Sequence, residues 1–187
     1  MNKSKNAFTD NLPIEFASQP MNRHQAVLAN AQISFQPKVR YTEYPERKVP
    51  QSSSAPLFTV LYQKGFPNIL NSVVDYDKWQ FQIQDEVNMK RLGSFEYNAI
   101  VGGFINDKNV QIPDRKHLLG NQFTVSAPYL KSFQLGPNYR YSNVAKIYGE
   151  LHIEYYLKGL ISNKIPLFRQ AHWYFVLGNN TFYSQQN

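Results

Sequence analysis

From Trp79 to Ile105 the chain alternates apolar and polar residues with a period of two, over a longer span than an ordinary strand needs. Trp79, Phe81, Ile83, Val87 and Met89 fall on one side, and Gln80, Gln82, Gln84, Glu86 and Asn88 on the other. Asp85 is the one polar residue on the apolar side. After a basic connection, Lys90-Arg91-Leu92-Gly93, the pattern resumes with Phe95, Tyr97, Ala99 and Val101 against Glu96 and Asn98. This predicts a hairpin of two long strands and a short turn. Its apolar face must meet either a core or lipid. Strands of soluble sandwiches run about five or six residues. A tilted membrane-crossing strand needs about 9–11, with aromatics at its ends and polar residues turned inward. The length, the glutamine-rich second face and the terminal aromatics point to lipid, although alternation alone leaves a soluble core open.

The 187 residues suffice for one ordinary domain, and an aromatic content of 15% excludes a disordered composition. The absence of cysteine excludes thiol chemistry, cysteine-based zinc sites and a disulfide scaffold. A formal charge of +7 admits nucleic acid, anionic headgroups or acidic partners. No apolar run approaches the length of about 18 that a transmembrane helix requires, which does not bear on a β-barrel. The first twenty residues lack the apolar stretch of a signal peptide, so the chain alone is expected to have no export signal.

Taken in order, residues 1–24 read as irregular, with Pro13 and Pro20 breaking any strand. Alternation starts at Gln25, with Val27, Ala29, Ala31, Ile33 and Phe35 on one face, and stops at Pro37. The segment to Pro56 is rich in Pro, Ser and charge and reads as a connection. A shorter strand, LFTVLYQK, precedes a loop from Gly65 to Asp77. After Ile105 the pattern lapses until about Lys131, and a weak piece with Phe133, Leu135, Tyr139 and Tyr141 reads as part of the same long loop, 106–145. Lys146 to Lys158 alternates most cleanly, and after GLISNKIPLFRQ comes a last strand, HWYFVLGNNTFY. The fold expected over 25–187 is all-β, an antiparallel meander of long amphipathic strands forming part of a transmembrane β-barrel. About six strands fall short of the eight that closure needs, so the chain is expected to be a fragment completed by the remaining strands of a parent barrel.

The order of these features is familiar: PLFTVLYQKGFPNILNSVVDYDKWQFQI, then GSFEYNAIVGGFI, then a loop with HLLGNQF, then IYGELHIEYYLKGLISNKIPLFRQAHWYFVLGNNTFY. Over roughly Gln25 to Tyr183 it resembles the barrel region of a Bacteroidota outer-membrane family whose full-length members carry an N-terminal carboxypeptidase-regulatory-like domain. That barrel is distantly similar to the BamA/TamA type of outer-membrane assembly barrel. The resemblance implies a periplasmic turn at Lys90–Gly93, an extracellular loop that folds back inside, and a loop-tip motif at Gly120, Asn121 and Gln122. The Arg-Gly-aromatic signature of the assembly barrels is absent at that tip. It also implies an outer-membrane location, with membrane lipid and the phosphates of lipopolysaccharide as partners.

Glu150, His152 and Glu154 are the one constellation with chemical potential, spaced i, i+2, i+4 on one strand face. Such a set could hold a divalent metal or pair an acid with a base. It reads instead as a row of wetted lumen residues, so neither catalysis, metal nor cofactor is expected. His24, His117 and His172 are isolated in sequence, and no hydrolase, metalloprotease or phosphate-loop motif occurs. The basic residues Arg40, Arg47, Lys48, Lys90, Arg91, Lys164 and Arg169 gather in connections, not along one strand face with the aromatics, which argues against nucleic acid. Arg115, Lys116 and Lys108 are placed to meet lipid phosphates. Trp79, Tyr97, Trp173 and Tyr183 lie near strand ends, as in an interfacial aromatic girdle. The alternative is a soluble all-β binding module, lipocalin- or sandwich-like, with the same aromatics in its core.

Overall fold

The alternating stretches become the strands of one sheet. In the computed structural model, which describes residues 24–50, 53–120, 129–136, 142–157, 164–170 and 173–185, eight strands form. Six of them, β1 (Val27–Phe35), β4 (Leu57–Phe66), β5 (Asp75–Asn88), β6 (Ser94–Asn109), β7 (Tyr148–Leu157) and β8 (Phe175–Ser184), make an antiparallel sheet in that order. The fold is all-β, a meander interrupted once. The short strands β2 (Tyr41–Tyr44) and β3 (Arg47–Pro50) pair only with each other, in the segment expected to be plain connection. A single helical turn, α1 (Pro166–Gln170), lies between β7 and β8. The sheet is open: among the described residues, no strand pairs with the outer edge of β1 or of β8. Neither of these edge strands contains a charged residue or a proline.

The register aligns the apolar residues into continuous rows. Val60 lies opposite Phe81 and Phe81 opposite Val101, while Ile83 lies opposite Ala99 and Ala99 opposite Leu151. These rows form one outer surface and are bare, with Ile33 72%, Val60 50% and Val101 45% exposed. The opposite face is the buried one: Asn98 is 3% and His152 0% exposed. In a soluble sheet the two faces would have the reverse polarity.

At the end where β5 begins, the polarity changes over. There the inner face carries a small apolar core of Val74, Tyr76 and Phe104, flanked by Ala26, Val110 and Val144. The outer face carries an ion pair between Lys64 Nζ and Asp77 at 2.7 Å, joined by the Tyr62 hydroxyl at 2.5 Å. On β5 the outward apolar residues therefore run between Asp77 and Asp85. Eight residues of strand span about 26 Å, or about 20 Å along a barrel axis at the usual tilt. The changeover explains two differences from expectation. β5 starts at Asp75, inside the predicted loop, and β6 continues to Asn109, so the long connection begins four residues later than 106. Beyond the apolar band, alternation with the same sign no longer marks a strand.

Gly93, with φ 105°, ends the turn at Lys90–Leu92 in a backbone conformation that only glycine adopts freely. Gly103 has a different reason. A Cβ there would collide with the carbonyl of Lys146, where the long connection returns to the sheet.

Candidate functional site

The inner face of β5–β8 and the connection that covers it make up the most organised polar site among the described residues. Period-two alternation turns Gln82, Gln84, Asn98, Glu150, His152 and Asn180 to one side, and the register sets Gln84 opposite Asn98, Asn98 opposite His152, and His152 opposite Asn180. Gln82 Nε2 donates to Asn98 Oδ1 at 2.8 Å and to Gln84 Oε1 at 3.1 Å. The Asn98 amide donates onward to the carbonyl of Leu130 at 2.8 Å, and the Asn180 amide to that of Ser132 at 3.2 Å. Two strand asparagines thus satisfy backbone carbonyls that the covering segment would otherwise bury unpaired.

Charge and aromatic contacts complete the attachment. Lys116 Nζ pairs with Glu150 Oε1 at 2.7 Å, both side chains being nearly buried. Phe133 packs its ring 4.8 Å from that of His152 and 5.6 Å from that of Phe182. His152 Nδ1 lies 2.8 Å from Asn180 Oδ1, while its Nε2 stands 3.6 Å from Glu150 Oε2, beyond hydrogen-bond reach. The phenol end of Tyr129 meets β8 in the space that a Cβ on Gly178 would need.

The predicted site residues separate accordingly. Glu150 and His152 adjoin one another, but Glu154 faces Glu96 across the β6–β7 pair instead of converging on them. No group of three His, Asp or Glu side chains among the described residues is arranged to hold a metal. His152 is enclosed beneath Phe133, with 0% of its surface exposed. Gly120 bridges to Phe133 and so reaches the His152 side of the sheet, whereas Asn121 and Gln122 lie outside the described residues. Lys116, expected to face lipid phosphates, is turned inward to Glu150 because that carboxylate would otherwise be buried without a counter-charge. Arg115 is half-buried, and Lys108 is exposed.

Two histidines that look isolated in sequence have partners in space. His24 Nε2 meets Asp114 at 2.9 Å, and the Tyr76 hydroxyl donates to the same carboxylate at 3.3 Å. His117 Nδ1 lies 2.7 Å from Ser142 Oγ, and burial holds its pKa below the ordinary histidine value. His172 lies outside the described residues.

Of the four girdle aromatics, Tyr97 is at the turn end of β6, packed 5.8 Å from Phe95, and Trp173 stacks on Phe168 at 5.7 Å just before β8. Tyr183 is the penultimate residue of β8, but its row crosses Val101 and Phe81 near mid-sheet. Trp79 stands four residues inside β5, opposite Tyr62 and Gly103.

Below the covering segment the inner face opens into a cavity of about 1300 Å³. Lys38, Arg40, Lys131, Glu86 and Glu96 are among the residues that line it.

Sequence signals for part of this site exist. The amide-rich inner rows are legible from alternation, but the lysine that pairs with Glu150 is 34 positions away within a segment of no period, and nothing local marks it. No helix among the described residues is long and apolar enough to cross a membrane, which says nothing of strands. Comparison with curated proteins and with solved structures finds no match. Residues 1–187 match a family model throughout, and the chain belongs to that family, described as the C-terminal domain of a family of unknown function (DUF5686).

Proposed function

We propose that the chain is a non-enzymatic portion of an outer-membrane β-barrel, with the bare apolar rows against lipid and the amide-rich rows lining the lumen. The observation that carries this reading is the inverted burial of the sheet: His152 and Asn98 are enclosed, while Val60, Phe81 and Val101 are bare. An exposed patch of that extent is foreign to soluble monomers. A soluble binding module would need a second layer over Val60, Phe81, Val101 and Leu151, and the described residues supply none. The strand lengths, from 9 to 16 residues in the main sheet, meet what a tilted crossing requires. Further strands of a parent barrel, pairing with β1 and β8, complete the wall in this reading.

The segment folded onto the inner face is the feature that supports likeness to assembly-type barrels. The role that follows is transport, assembly or surface anchoring, with the covering segment occupying part of the lumen. Lipid is the partner of the outer rows, and Lys108 is the basic residue placed for lipopolysaccharide phosphates.

The test uses the two tryptophans. The Trp173→Phe variant, inserted into bilayers together with tryptophan-free remaining strands of the parent barrel, leaves Trp79 as the only tryptophan. Its fluorescence is expected to be quenched by lipids brominated in the acyl chain. A chain that stays monodisperse in detergent-free buffer and shows no such quenching would replace the barrel with the soluble module.

A further inference from the structure

The cavity of the inner face is lined by charges of both signs that do not close onto one another. Its cations are Lys38, Arg40 and Lys131, and its acids are Asp85, Glu86 and Glu96. No ion pair of the described residues includes Lys38, Arg40, Lys131 or Glu86. The volume of about 1300 Å³ exceeds the range of about 300–1000 Å³ usual for a drug-sized ligand.

The register and the connections explain why the two signs stay apart. Glu86 lies opposite Glu96 across β5–β6, and Glu96 opposite Glu154 across β6–β7, so the glutamates form a row along the sheet. Like charges directly opposite destabilise a strand pair, and such a row calls for positive charge nearby. The cations come from other elements. Lys38 and Arg40 stand on the connection that leaves β1. Its base is tied by Gln36 Nε2, which donates to the carbonyl of Ala55 at 3.0 Å, and by Ser53 Oγ, which donates to that of Pro37 at 2.5 Å. Lys131 follows Leu130 on the covering segment, where Asn98 holds the Leu130 carbonyl. Asp85 accepts from the backbone N–H of Glu86 at 2.9 Å. Separately anchored elements therefore bring both signs to one cavity without pairing these cations with the glutamate row.

We infer that this cavity binds short peptides with free termini, the ammonium group against the glutamate row and the carboxylate among Lys38, Arg40 and Lys131. A ligand of one charge leaves the other sign unanswered, whereas a zwitterion answers both. The neutral lining suits the rest of a peptide. Ser54, Gln84 and Asn88 offer hydrogen-bonding groups for its backbone, and Val39, Leu57 and Leu130 offer apolar contact for its side chains. The inference gives the transport role a solute class and rests on the barrel reading only in placing the cavity within a lumen.

The experiment compares peptides that differ in one terminal charge. The chain, folded in detergent together with cysteine-free strands of the parent barrel, carries a polarity-sensitive fluorophore on Ser54→Cys, its only cysteine. Tetraalanine with free termini is expected to bind about fivefold more tightly than its N-acetylated or its C-amidated form, the upper range for one exposed ion pair. In E86Q/E96Q acetylation should cost nothing while amidation keeps its effect. In K38N/R40Q/K131Q the reverse should hold, asparagine suiting the left-handed φ of 56° at position 38. Loss of both preferences in a variant that melts like the parent would overturn the assignment of the termini. The peptide comparison itself leaves the charged lining unaltered, so it decides the matter even where a variant fails to fold. Equal affinity for free and blocked peptides, tighter binding of the neutral sugar maltotetraose, or no response to tetraalanine would overturn the site. Quenching of Trp79 by brominated lipid without the peptide preference would discard the site and leave the barrel. The preference without that quenching would keep the site and discard the barrel.

Discussion

The ring of Tyr129 occupies the space where Gly178 would carry a side chain. A residue of the covering segment and a glycine of β8 are thus fitted to each other, and the missing side chain is what lets the segment lie directly on the strand. Gly178→Ala should displace Tyr129 and loosen residues 129–136 while leaving the β7–β8 ladder paired. Overpacking of this kind destabilises by about 1–3 kcal/mol. Hydrogen exchange should report it as lost protection in 129–136 alone.

Lys116 and Glu150 are a nearly buried pair, so removing one partner should matter more than removing both. Lys116→Met leaves a carboxylate enclosed without a counter-charge, for which a loss of about 3–5 kcal/mol is expected. The double substitution Lys116→Met with Glu150→Leu should recover most of that loss. Denaturant midpoints of the detergent-folded single and double variants measure the coupling.

His117 makes the attachment sensitive to pH. Burial depresses its pKa in the folded state, so the detached segment takes up the proton first. The covering segment is therefore fully stabilised above the ordinary histidine value of about 6.5, and weakens as pH falls through it towards the lower folded value. Exchange protection in the 111–120 region should decline over that window. His117→Gln should remove the pH dependence, and persistence of the decline in that variant would assign it elsewhere.

The lack of native cysteine allows the two faces to be probed one residue at a time. Val101→Cys and Leu151→Cys, in the chain inserted into a bilayer together with the parent barrel's strands, should resist a water-soluble maleimide and react with a lipid-soluble one. Asn98→Cys should resist both until the covering segment is detached. Rapid labelling of Val101→Cys by the water-soluble reagent would contradict a lipid-facing row.

Much of the sheet is legible in the sequence because its central rows obey a single rule, one polarity per face. Phe81, Ile83, Val101 and Leu151 announce both their strands and their common surface. The rule fails where the surroundings change. Tyr76 and Phe104 are apolar and inward while Asp77 and Lys64 are charged and outward, so the same alternation with inverted sign reads as loop. The β2–β3 pair escapes for another reason: it pairs with no strand of the main sheet, and Pro45 with its charged neighbours gives it no amphipathic period. In the site, Glu150 and His152 stand out by spacing, but their partners Lys116 and Phe133 are placed by tertiary packing alone.

The uncharged, proline-free edges of β1 and β8 have a consequence for timing. Among the described residues, each presents a row of backbone donors and acceptors without the charge or proline that keeps one sheet from templating another. In water such edges recruit whatever extended chain arrives first, and the bare rows beside them make that capture hard to reverse. Escort until both edges are met is therefore part of the folding problem itself, and the interval between synthesis and edge pairing is when this chain is most vulnerable.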